Sequence, residues 1–149
     1  MRIAIAADER TGVADGLAAA LEARGHAVVA AHGALNADEP DDWAWCAAAA
    51  ARDVSGGAAD QAVVCCWTGT GASIAANKIP GIRAALCADA ATAAGARKWN
   101  DANVLALSLR TTSAAELDEI LDAWFAAGPS ADAGDAANIA HLATIEAER

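Results

Sequence analysis

Apolar and polar positions alternate along this chain in blocks that change period. Arg2-Ile-Ala-Ile-Ala-Ala is a short apolar run, followed by polar Asp8-Glu9-Arg10 and a helical pattern over Thr11–Arg24 that stops at Gly25. The cycle then repeats. Ala27–Ala31 reads as a strand, Trp43–Val54 as a helix ending at Gly56-Gly57, and Gln61–Trp67 as a continuously apolar strand of the kind buried on both faces. After the glycine-rich Thr68–Gly71, a helix is predicted to start at Ser73. It is followed by a strand over Arg83–Cys87, a helix over Ala90–Lys98 and a strand over Val104–Ser108. Ser113 is a good N-cap for a helix running to Ala127, where Gly128-Pro129 stops it, and Ala133–Glu148 reads as one further helix.

Strands alternating with helices predict an α/β fold: a doubly wound, Rossmann-like or flavodoxin-like five-stranded parallel sheet with helices on both faces. Nothing in the pattern separates two domains, so residues 1–149 are expected to form one, with 128–149 as a C-terminal tail. Doubly wound sheets bind ligands at the carboxyl ends of their strands, which directs attention to the loops beginning at Asp8, Trp67, Asp89 and Leu109.

Composition narrows the partners. Twenty acidic against ten basic residues give a formal charge of −10, which repels nucleic acid and anionic lipid alike. No apolar run approaches the roughly 20 residues that span a bilayer, and the opening segment reads as a strand, so a cytoplasmic protein is expected. The four cysteines, two of them adjacent, form no secreted disulfide framework and match no zinc spacing with the three histidines; reduced thiols and no metal are expected. The 56% hydrophobic fraction is inflated by alanine, which predicts a core of small side chains with a few large anchors, some of the five tryptophans among them.

The main chemical signal is Cys65-Cys66-Trp67-Thr68-Gly69-Thr70-Gly71-Ala72-Ser73, a buried strand leading through a two-glycine loop into a helix. Free N–H groups at such a turn can hold an anion or a developing oxyanion. The loop equally suits a plain strand-to-helix turn, and it lacks the lysine of a P-loop. Neighbouring strand residues point to opposite faces, so one cysteine at most reaches the loop mouth, and position favours Cys66. His26 and His32 flank the second strand as structural residues. His141, on the last helix, has a structural reading beside one in which it enters a partner's site.

Thr68-Gly-Thr-Gly-Ala-Ser-Ile-Ala-Ala-Asn-Lys-Ile-Pro-Gly-Ile-Arg-Ala-Ala-Leu-Cys87 and Trp99-Asn-Asp-Ala-Asn-Val-Leu-Ala-Leu-Ser108 resemble the ribose-5-phosphate isomerase B and galactose-6-phosphate isomerase family, in the same order from Met1 to about Phe125. The resemblance implies an aldose–ketose isomerase that moves a proton between C1 and C2 of a small sugar or sugar phosphate through an enediolate, without metal or organic cofactor. It assigns Cys66 as base with Thr68 in support. The loop amides over Thr68, Gly69, Thr70, Gly71, Ala72 and Ser73 are assigned to the enediolate, and Asp8 and Asn100 to sugar hydroxyls. A family branch with glutamate past the second loop glycine has its counterpart at Ala72, leaving cysteine as the candidate base. The resemblance also implies a homodimer or homotetramer whose C-terminal helix crosses to a neighbour. The apolar spacing of Ile139, Leu142 and Ile145 is compatible with that role.

Departures from the family pattern cluster at the expected substrate contacts. Glu9 replaces a common histidine, Trp99 stands where members carry a ring-opening histidine, and Trp67 replaces a glycine, as either an apolar wall of the mouth or a core residue. The tail from Gly128 to Glu148 has no lysine or arginine, leaving Arg149 alone where the family presents phosphate-binding arginines. These changes predict a smaller, open-chain or differently charged substrate, for example a tetrose derivative. Arg10 is the nearest cation of the first loop, with Arg97, Lys98 and Arg110 as others near strand ends. The alternative is a non-catalytic sugar-binding subunit or partner in a mixed assembly. A flavodoxin-like anion-binding domain is a third reading, resting on the glycine loop alone.

Overall fold

The computed structural model describes residues 1–148; Arg149 lies outside the described residues. The elements follow in the order β1 (Arg2–Ala7), α1 (Leu17–Glu22), β2 (Ala27–Gly33), α2 (Trp43–Ser55), β3 (Gln61–Cys66), α3 (Thr70–Ala76), β4 (Ala84–Leu86), α4 (Ala90–Asn100), β5 (Val104–Ser108), α5 (Ala114–Ala126) and α6 (Ala133–Ala147). All strand pairs are parallel, in the order β2-β1-β3-β5-β4. The chain leaves β1 outward to β2 and then crosses back to β3 on β1's other side. A crevice therefore opens between the carboxyl ends of β1 and β3, where ligands bind in such sheets.

Strand alternation divides the core into two unlike faces. Ile3, Ile5, Val63, Cys65, Leu105 and Leu107 pack with Leu17, Leu21, Leu117, Ile120, Leu121 and Trp124 of α1 and α5. On the other face Ala4, Ala6, Ala62, Val64, Cys66 and Ala106 meet Ala47, Ala50 and Ala51 of α2 and Ala72, Ala75 and Ala76 of α3. Small side chains on both sides of that layer let α2 and α3 lie close to the sheet. Of the five tryptophans only Trp124 anchors the core, and its indole N–H donates to Gln61 Oε1 at 2.7 Å. Trp43, Trp45, Trp67 and Trp99 are all exposed, so the expected set of tryptophan anchors reduces to one.

Two boundaries differ from the pattern for backbone reasons. The helical pattern over Thr11–Arg24 yields a helix only over Leu17–Glu22. Gly12 adopts φ 56°, and a Cβ there would sit 2.6 Å from the Leu109 carbonyl oxygen, so residues 12–16 turn against the β5 loop before the helix starts. Conversely, α3 begins three residues before Ser73, because Gly69 takes the left-handed conformation (φ 75°) at its N-cap and releases Thr70 into the helix.

At the other end, Asp132 caps α6 through the amides of Gly134 and Asp135. The helix rests against its own chain, where Glu146 accepts from the Gly81 amide at 3.0 Å, while Leu142 and Ile145 remain exposed. Among the described residues no helix is long and apolar enough to cross a membrane.

Candidate active site

Cys66 is the last residue of β3 and is paired in register with Ser108 of β5. It lies on the α2/α3 face, whereas Cys65 points into the opposite core, as the alternation of neighbouring strand residues requires. Its carbonyl accepts from Gly69 and Leu109, and the next carbonyl, of Trp67, accepts from the Ser108 hydroxyl at 2.9 Å and the Arg110 amide at 3.0 Å. The strand end is thereby held on two sides. The Cys66 sulfur in turn accepts from the Ala72 amide at 3.4 Å, which gives it an oriented N–H donor. The other thiols have no such role: burial pushes Cys46, Cys65 and Cys87 up to about 12, so they stay protonated at neutral pH.

Not every amide of the glycine loop is available to a substrate. Gly69 donates to Cys66 O, Ser73 to Gly69 O and Ala72 to the sulfur. The amides of Thr68, Thr70 and Gly71 have no acceptor among the described residues. They are the N–H groups left to meet an oxyanion beside Cys66. Thr68 and Thr70 link their hydroxyls at 2.7 Å over the same loop.

Asp8 follows β1 at the point where Ala7 pairs with Cys65, so it stands abreast of Cys66 across the crevice. Its Oδ1 is buried without a hydrogen-bond partner among the described residues. Burial, then the neighbouring Glu9 charge and the more distant Asp41 and Asp42, raises its carboxyl above the ordinary value. Glu9 is exposed, and Arg10 is committed to Asp15 at 2.6 Å. The β1 loop therefore presents an acidic rim with its one cation neutralised. Arg110 forms no ion pair among the described residues, and its backbone is fixed to Trp67.

Aromatic walls complete the mouth. Trp67 is 49% exposed, which removes the core reading and leaves its ring at the loop surface. Trp43, which the sequence pattern marks only as a helix start, lies directly on the loop: a Cβ on Gly71 would come within 2.9 Å of its ring. The hydrophobic period could not show this contact, because it joins two residues far apart in sequence through a position with no side chain.

Trp99 and Asn100 are not brought to Cys66 within one chain. They end α4 beside the Asp101–Asn103 turn, whose Asn103 carbonyl accepts from Ala62 at the amino end of β3, the edge of the sheet opposite Cys66. Arg97 and Lys98 share that edge. Arg97 is bound to Asp101 and to the Ala102 carbonyl, so both cations stand near strand ends as expected, but at the amino ends, away from Cys66.

A family model described as Ribose/Galactose Isomerase matches residues 3–142. Ribose-5-phosphate isomerase B of Escherichia coli is 42% identical over 89 residues, 60% of either chain. D-erythrulose-4-phosphate isomerase of Pectobacterium atrosepticum is 42% identical over 74 residues, 50% of this chain and 49% of that one. These matches span about half to 60% of the curated relatives' length. The structure of ribose-5-phosphate isomerase B from Clostridium thermocellum superposes with a TM-score of 0.88 at 34% identity, covering 99% of both chains. A family match over residues 3–142 and superposition along nearly the whole fold lead to one conclusion: the chain belongs to the ribose/galactose isomerase family.

Proposed function

We propose that the protein is an aldose–ketose isomerase acting on a small sugar phosphate, with Cys66 as the base. The observation that carries this is a sulfur with an N–H donor, placed beside three unclaimed loop amides at the crevice of the sheet. As a thiolate, Cys66 removes the proton from the carbon next to the carbonyl. The negative charge moves onto oxygen, where the amides of Thr68, Thr70 and Gly71 receive it, and the proton returns to the neighbouring carbon. One hydroxyl proton passes between the two oxygens, so aldose and ketose differ only in where two hydrogens reside. Asp8, with an unfilled buried oxygen, is suited to a sugar hydroxyl.

The same residues argue for a short, open-chain substrate. The Asp8–Glu9 rim disfavours an anion on the β1 side, while the uncommitted Arg110 offers one cation beside Trp67. Trp43 and Trp67 narrow the mouth. A tetrose phosphate, which has no phosphorylated ring to open, fits these features and the naming of the Pectobacterium relative. Asn100 can reach such a substrate only from a second chain, so the active form is at least a homodimer.

A substrate panel ranked by kcat/KM tests the assignment. Tetrose 4-phosphates are expected to exceed ribose 5-phosphate. The reverse order would contradict the substrate class. Absence of turnover with every sugar, for the purified chain alone, would favour the alternative of a sugar-binding subunit in a mixed assembly.

A further inference from the structure

His32 ends the exposed surface of β2 inside a cluster that the isomerase chemistry does not use. Its Nδ1 lies 2.9 Å from Glu39 Oε2 and its Nε2 lies 2.7 Å from Asp53 Oδ2, with the imidazole largely enclosed. Glu39 belongs to the loop joining β2 to α2, and Asp53 to the last turns of α2 itself. The same Glu39 carboxylate accepts from the Gly33 amide and the Asn36 side chain, so it gathers the start of the loop onto the histidine. The loop ends at Asp42, which caps α2 through the Ala44 and Trp45 amides and hands the chain to Trp43. Trp43 then lies on Gly71 of the catalytic loop.

An imidazole between two carboxylates satisfies both only when both nitrogens carry protons. The neutral ring turns a lone pair toward one carboxylate oxygen at under about 3 Å, a contact that repels. We infer that His32 is a positioning residue: its doubly bonded imidazolium fixes the β2–α2 loop to α2, seats Trp43 against Gly71, and makes the aromatic wall of the site dependent on pH. This rests on the isomerase reading only for its effect on turnover.

The ionisable groups facing His32 are Glu39 from the loop and Asp53 from α2; β1 presents uncharged Ala6 beside it. Burial would push the ring's pKa down, but the hydrogen bonds to Asp53 and Glu39 outweigh it and raise the pKa above the ordinary 6.5. Burial likewise disfavours ionised Glu39, but His32, Gly33 and Asn36 hold its carboxyl below the ordinary 4.5. A group with a raised folded pKa contributes fully below its unfolded value and loses that contribution as pH rises through the folded one. The clamp is therefore closed below the folded His32 pKa and opens as pH rises through it.

The test follows the Trp43 indole N–H resonance, identified by its loss in Trp43→Phe, together with acrylamide quenching, from about pH 6 to about pH 9. In the unaltered protein the Trp43 signal is expected to move and its quenching to rise with one midpoint above 6.5, matching the titration of the His32 ring. Asp53→Asn should lower that midpoint, and His32→Gln should show the loosened state at every pH. With substrate, KM should rise about tenfold through the same midpoint while kcat changes little. A Trp43 signal that ignores the His32 titration in the unaltered protein overturns the inference, whether or not the variants fold. Because the Trp43 readout needs no substrate, failure of the isomerase assignment would leave a coupled Trp43 signal intact and be told apart.

Discussion

At the scale of single residues, the site depends on a glycine packed against an aromatic ring and a carboxylate whose Oδ1 has no partner among the described residues. Gly71→Ala places a methyl group against the Trp43 ring, at 2.9 and 3.0 Å from two ring carbons. Trp43 is half exposed and can swing away, so the expected outcome is a loss of substrate affinity with little loss of Tm. KM and a thermal melt of the same variant check this. Asp8→Asn removes a charge that burial and neighbouring carboxylates disfavour. It should raise Tm and lower kcat/KM together; a fall in both would show that Asp8 supports the fold. The division of labour between Cys65 and Cys66 was legible beforehand, because strand alternation alone sends them to opposite faces. The roles of Trp43 and of the three free amides were not, because they depend on which hydrogen bonds the loop spends on itself.

At the scale of elements, residue pattern located nearly every strand and helix but missed where backbone conformation overrides it. The early start of α3 requires Gly69 in the left-handed region. A Cβ there would lie 2.5 Å from Leu86 Cδ1 and 2.9 Å from the Leu107 backbone. Gly69→Ala is therefore expected to destabilise the protein by about 2–4 kcal/mol, measured by denaturant unfolding. The start of α5 behaves oppositely, since it was readable from Ser113 as N-cap; the structure adds Glu116, which completes a reciprocal capping box. Ser113→Ala should cost about 1 kcal/mol, measured by denaturant unfolding.

At the scale of the molecule, the doubly wound sheet was legible because alternating apolar strands and capped helices leave few other arrangements. Strand order was not, and the order decides which loops meet: with β1 beside β3, Asp8 and Cys66 share one crevice. Nor could a linear pattern show that Trp99 and Asn100 lie at the opposite end of the strands from Cys66, so the proposed role of Asn100 at the substrate calls for a second chain. Mixing Cys66→Ser chains with Asn100→Ala chains tests this. Activity above that of either parent is expected for shared sites, and no recovery in mixed dimers would mean that each chain works alone.

The central claim is that Cys66 moves the proton, and its most direct test is ¹H NMR of the protein with a tetrose 4-phosphate in D₂O, set against Cys66→Ser. Deuterium is predicted to enter at the carbon beside the carbonyl with the unaltered protein. The serine variant, folded but with a far weaker base, should show none. Equal exchange by the two proteins would contradict the claim.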